Sequence, residues 1–248
     1  MHTNVLKTVM PVFTVLVLFL STAEAYGWHD QTHMAIARAA GFDRWYSAAA
    51  PDVVKSREQF RPIEEKNHYF NNNADSPVTE SMVKEQRQRF NNPDDIEGHL
   101  YGAIIGSLHD YRNLKATGKY ADYPLVFMAH YIADLSMPLH NTVYDTFNRE
   151  RHSRNDGIIE GEAFKCIGHI RQGIYRINIE NDDDFAREIA RIADISRLIG
   201  ARIRAENRDM TRNEVLLQAI HSASLFKAAL VYVGKNSGTI AWNTSNIK

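Results

Sequence analysis

Apolar residues recur at helical spacing along most of the chain, while strand signals are weak and no hairpin dipeptide separates alternating runs. A first helix is expected over about Gln31 to Ala40, capped by Asp30 or Thr32 and ended by Gly41. A second should cover roughly Asp43 to Ala50. Loop-like residues fill Arg61 to Pro77, including Asn71-Asn72-Asn73, and Thr79 opens a polar helix running to about Phe90. Between Ile96 and Leu114, the residues Leu100, Ile104, Leu108 and Tyr111 mark one helical face. The next helix, about Tyr123 to Leu135, is apolar nearly all round and so belongs at the centre of the fold, with Pro138 stopping it. Further helices fit Gly157 to Ile177, Asp183 to Ala205 and Thr211 to Lys235, the last opened by a Thr211…Glu214 capping box. The pattern predicts an all-α fold, a single compact multi-helix domain.

The first 27 residues read differently. Lys7 precedes an apolar run from Val9 to Leu20, and small residues follow around Ala23 and Ala25. That is the layout of a secretory signal peptide, and a run of this length is short for a membrane span, which needs ~20 residues. Residues 1–27 are therefore expected to be removed, leaving 28–248 as an exported domain, periplasmic or extracellular, with no transmembrane anchor and no stable protein partner implied. Cleavage before Tyr26 and cleavage before Trp28 both fit the small residues. With 29 Lys and Arg against 30 Asp and Glu, no global field selects nucleic acid or an anionic membrane. Cys166 is the only cysteine, so no internal disulfide can staple the domain. Eleven histidines then draw attention to metal.

His130 and Asp134 lie four apart on the central helix, flanked by Val126, Phe127, Met128, Tyr131, Ile132 and Leu135. A carboxylate buried there needs a counter-charge, and a divalent cation supplies one; a plain His–Asp hydrogen bond within a bundle is the bland alternative. His140 follows the turn at Pro138, and His152 with Asp156 repeats the four-residue spacing. On its own that last stretch reads as a solvated loop. Upstream lie Trp28, His33, Asp52 and His68.

Together these residues resemble the superfamily of zinc-dependent phospholipases C and S1/P1-type single-strand nucleases. The segment His130-Tyr131-Ile132-Ala133-Asp134-Leu135-Ser136-Met137-Pro138-Leu139-His140 is similar to the superfamily's H-[YF]-[IL]-G-D-x-x-Q-P-[LM]-H, departing at Ala133 and Met137. Trp28 followed by His33, and His68 followed by Tyr69, match further elements. The resemblance implies three Zn2+ ions. One would be held by Asp52, His68, His130 and Asp134. A second would share Asp134 and take His33 with the freed amine and carbonyl oxygen of Trp28. The third would take His140, His152 and Asp156, with Glu160 a rival for Asp156.

The resemblance also implies phosphodiester hydrolysis, since paired metals activate water and clamp phosphate oxygens. Asp52 would orient the nucleophile. Lys55, one turn on, stands where the nucleases carry an arginine for the phosphate, although a solvated surface lysine is the plainer expectation. The substrate stays open between single-stranded nucleic acid, favoured by the Trp28–His33 spacing and by an Asp in the third site, and phospholipid head groups, favoured by the short His140–His152 interval. A different class, a non-catalytic helical protein with structural zinc, is the remaining alternative.

Overall fold

The computed structural model describes residues 28–234, and every regular element among them is helical, in keeping with the all-α expectation. The expected signal segment and the expected helix end at Lys235 lie outside the described residues. In chain order the helices are α1 (Asp30–Ala39), α2 (Ala50–Lys55), α3 (Arg61–Glu64), α4 (Glu80–Arg87), α5 (Leu100–Ala116), α6 (Asp122–Leu135), α7 (Thr146–Asp156), α8 (Ala163–Gly173), α9 (Asp182–Ala205) and α10 (Arg212–Tyr232).

Helix α6 packs on α5, α10, α1, α9 and α2, as its all-round apolar surface requires. Leu125, Met128, Ile132 and Leu135 are all fully buried. The close approach of α4 to α5 depends on Gly102, where an added Cβ would stand 2.2 Å from the Gln86 carbonyl oxygen. Helix α10 is long and apolar enough to cross a membrane by length and composition, yet most of it is buried here as a core helix. It opens with the expected capping box: Glu214 N–H donates to the Thr211 hydroxyl, and Glu214 accepts from the Thr211 N–H.

Three expectations require correction. The second helix lies not over Asp43 to Ala50 but over Ala50–Lys55, preceded by a 3-10 turn at Trp45–Ser47. Pro51 explains the shift, because proline fits the first turn, where its missing N–H is no loss. The same chemistry at Pro62 builds α3 and a following 3-10 turn (Glu65–Asn67) inside the stretch expected as loop. Finally, the helix expected from Gly157 starts only at Ala163, after α7 has run from Thr146 to Asp156.

Beyond α3 the chain is fixed by its backbone. Phe70 N–H donates to the His140 carbonyl, Asn71 N–H to Glu97 and Leu100 N–H to Tyr69. Gly98, at φ +77°, allows this seam, since a Cβ there would lie 2.3 Å from the Tyr69 carbonyl oxygen. The segment around His68 is thereby pinned between the end of α6 and the start of α5.

Candidate metal centre

Each candidate ligand reaches the centre from a different piece of this scaffold. Helix α1 carries His33, α2 carries Asp52, the end of the α3 turn carries His68 and α6 carries His130 and Asp134. The turn after α6 carries His140, and α7 carries His152 and Asp156. All eight converge, and three groups have ligand atoms within 4.8 Å of one another: His33 with His130 and Asp134; Asp52 with His68 and His130; and His140 with His152 and Asp156. These buried His and Asp groups could hold metal ions.

Asp134 sits at the middle, fully buried. Its carboxylate lies 3.0 Å from His68 Nδ1, 3.3 Å from His130 Nε2, 3.5 Å from His33 Nε2 and 3.7 Å from His140 Nδ1. Burial works against its charge, but His130, His140 and His33 outweigh it and hold the carboxyl well below its ordinary value. At Asp52, burial is likewise outweighed by His130, Lys55 and His68, which hold it down at about 2.

The outer nitrogens of three rings identify their tautomers. His130 Nδ1 donates to the Ala48 carbonyl at 2.8 Å and His140 Nδ1 to the His68 carbonyl at 2.5 Å, because a carbonyl can only accept. Asn148 does the same for His152 by a further step. Its amide NH2 donates to the Leu139 and Val143 carbonyls, so its oxygen faces His152 Nδ1 at 2.7 Å and must accept from it. In His140 and His152, which burial keeps neutral, Nε2 is then the bare nitrogen, pointing inward, and His130 likewise turns its Nε2 inward, toward Asp134.

Bare nitrogens therefore meet other acceptors. His140 Nε2 and His152 Nε2 are 2.9 Å apart, with Asp156 Oδ2 3.4 Å from the latter. Burial drives His140 down to about 4 and His152 well below its ordinary value, so neither takes up a proton at neutral pH to bridge the pair. Both nitrogens of His33 are buried without a hydrogen-bond partner, its ring is stacked on His130 at 3.7 Å, and burial, then His130, push it down to about 3. His68 goes the other way: burial and Lys55 oppose its charge, but hydrogen bonds with Asp134 and Glu64 raise it. Converging lone pairs and carboxylates of this kind fit a divalent cation with a preference for nitrogen and oxygen donors.

Two of the sequence expectations change here. Glu160 does not compete with Asp156. It accepts from the backbone N–H groups of Gln31 and Thr32 and from the Thr32 hydroxyl, satisfying the free N–H groups at the start of α1. Replacing it with alanine should cost about 1 kcal/mol or somewhat more, as for other lost caps, and lower Tm by a few degrees. An unchanged calorimetric melt for Glu160→Ala would refute that role. Lys55 is not a solvated surface residue either: it is buried, with Nζ 2.6 Å from Asp52 Oδ1.

Trp28 is fully buried, and its indole N–H donates to the Ala133 carbonyl, one residue before Asp134. The start of the described chain is thus anchored beside the cluster. Glu64, in the stretch expected to be loop, is a contributor the sequence reading missed: it lies 3.3 Å from His68 Nε2. Other histidines take ordinary roles, His99 between Asp95 and Asn67 and His221 with Tyr175. Cys166 is buried and free.

On one side the cluster meets a small cleft of about 80 Å3, lined by Glu65, Tyr69, Asn71, Leu139, Tyr144 and two of the candidate ligands, His140 and His152. Lys66 lies over the Tyr69 ring at 5.7 Å and Arg149 over the Tyr144 ring at 6.0 Å. Arg151 and Arg154 are instead engaged with Asp209. No model of a known protein family matches this chain, and no curated protein matches it.

Proposed function

We propose that this chain is an exported zinc-dependent phosphodiester hydrolase with three ions, acting on single-stranded nucleic acid. The observation that carries the reading is the meeting of His140 Nε2 and His152 Nε2, both bare and 2.9 Å apart, at the wall of a cleft. Structural zinc sites are closed tetrahedra, whereas catalytic ones keep a position for water or substrate. Ligands that also line a cleft favour the second kind.

Bound zinc would supply Lewis acidity, an activated water and a clamp for phosphate oxygens. The chain's own residues do the rest. Asp134 spans the His33, His68 and His130 side of the cluster and can serve two ions at once. Asp52, held ionised and paired with Lys55, orients the attacking group, while the Lys55 ammonium adds positive charge beside the cluster for the phosphate. Cleavage before Trp28 would free an amine next to α1, and a chelate from that amine would make signal removal a maturation step.

The cleft favours nucleic acid over phospholipid. Tyr69 and Tyr144 line the cleft, each with a cation over its ring, and those two cations, set against the one carboxylate of Glu65, suit an anionic substrate better than a cationic head group. The test is side-by-side hydrolysis of single-stranded DNA, phosphatidylcholine and a generic aryl phosphodiester by zinc-loaded protein, with metal content measured in parallel. DNA cleavage abolished by chelator is the expected result. Turnover of phosphatidylcholine alone would move the assignment to phospholipase C. A zinc-bearing protein inert on all three would leave only the structural-zinc reading.

A further inference from the structure

We propose that Glu64 is a positioning residue that selects which nitrogen of His68 faces the metal centre and strengthens it as a donor. The inference rests on reading the cluster as a metal site. His68 is fully buried and can present either ring nitrogen. Nδ1 faces inward, 3.0 Å from Asp134 Oδ2, 3.7 Å from Asp52 Oδ1 and 3.1 Å from Nε2 of His130. Nε2 faces outward, 3.3 Å from Glu64 Oε1.

Glu64 is itself tightly held. It is 6% exposed, and the same Oε1 accepts a 2.6 Å hydrogen bond from the Tyr131 hydroxyl, while Oε2 accepts from Asn67 Nδ2 at 3.4 Å. An outward Nε2 without a proton would set acceptor against acceptor in a buried place. Glu64 therefore keeps a proton on Nε2, so the proton that an arriving ion would displace is the one Nδ1 shares inward with Asp134, and the Nδ1 lone pair would then face the space bounded by Asp52, His130 and Asp134.

This backing differs in kind from that of the neighbouring ligands. His130 and His140 are backed by backbone carbonyls and His152 by the Asn148 amide, all neutral. Among these four rings, His68 is the one whose outer nitrogen meets a carboxylate. An ionised partner makes the imidazole a stronger donor than a neutral one does. Tyr131 directly follows His130, so α6 supplies inward ligands to the cluster and also, through the Tyr131 hydroxyl, steadies the group behind His68.

The deciding experiment is competition between Zn2+ and a chromophoric chelator, fitted for separate equivalents, on wild type and Glu64→Gln. The amide oxygen can keep both bonds now made by Oε1, so the substitution removes the charge and the long 3.4 Å bond that Oε2 accepts from Asn67. One zinc equivalent should weaken by about 10–100-fold, the range usual for lost outer partners, with the others unchanged. Co2+-loaded protein should show an altered d–d spectrum in the variant. If Glu64→Gln does not fold, Tyr131→Phe carries the test, with a smaller loss at the same single equivalent. Unchanged affinity at every equivalent, or equal weakening of all of them, overturns the role of Glu64. Wild-type protein that binds no Zn2+ overturns the metal reading itself, and the inference with it.

Discussion

On the proposed reading, Asp134→Asn should abolish phosphodiesterase activity while leaving the helices intact. The amide is nearly isosteric, so the packing of α6 against α5 and α10 has little reason to change. What is lost is the one charge that four histidines surround at 3.0 to 3.7 Å. Metal-based charge stabilisation is worth several kcal/mol in a transition state, and each ~1.4 kcal/mol is tenfold in rate, so the drop should reach about 10³-fold or more. Bound zinc should fall along with it, because the amide cannot serve two ions as a carboxylate can. Asp156→Asn gives a contrast: its neighbours are His152 and His140, so it should lower zinc content by a single equivalent. Metal analysis and far-UV circular dichroism on the same samples decide the matter. A folded Asp134→Asn protein with full zinc and wild-type rate would refute a bridging role for this carboxylate.

The difference between those two carboxylates shows what the sequence could convey. His130 and Asp134 stood out because a polar pair four residues apart interrupts a helix that is otherwise apolar all round, and such a helix has to be central. The spacing of His152 and Asp156 carried the same message only if the stretch was helical, and α7 makes it so. Helices α9 and α10 followed from long apolar periodicity and, for α10, a local cap. Short elements were harder. Helices α2 and α3 have six and four residues, too few to establish a period, and their one clear signal is a proline in the first turn. Reading Pro62 that way would have exposed Glu64 and His68 as another acid–histidine pair four apart. Glu160 was illegible for a different reason: its role depends on a contact spanning 128 to 129 residues, which no local pattern encodes. Lys55 was misjudged because burial of a charged group is set by neighbours from elsewhere, here Asp52 and the cluster behind it.

If the cluster holds zinc as proposed, stripping the ions should cost the fold a large part of its stability, and the reason lies in those same lone pairs. A group that binds only the native state stabilises it by about 4 kcal/mol when its free concentration is 1,000 times Kd. For a chain of this size about 1 kcal/mol moves Tm by roughly 2–4 °C, so each tightly held ion should account for about 8–16 °C. The metal-free state has little with which to compensate. His140 and His152 stay unprotonated at neutral pH, because burial depresses both, and they face each other at 2.9 Å with no proton between them. His33 retains two buried nitrogens without hydrogen-bond partners. No disulfide limits the unfolded chain, since Cys166 is the only cysteine. Calorimetry with and without chelator should therefore show a drop of at least one such step, reversed by Zn2+ and not by Mg2+, which avoids nitrogen ligands. The region most affected should be α7, which packs least on the other helices and brings His152 and Asp156 to the cluster. Helices α5, α9 and α10, packed through apolar faces, should keep slow amide exchange. A melt unchanged within about 2 °C on removing verified metal would mean that the eight converging side chains do not hold their ions as part of the folded structure.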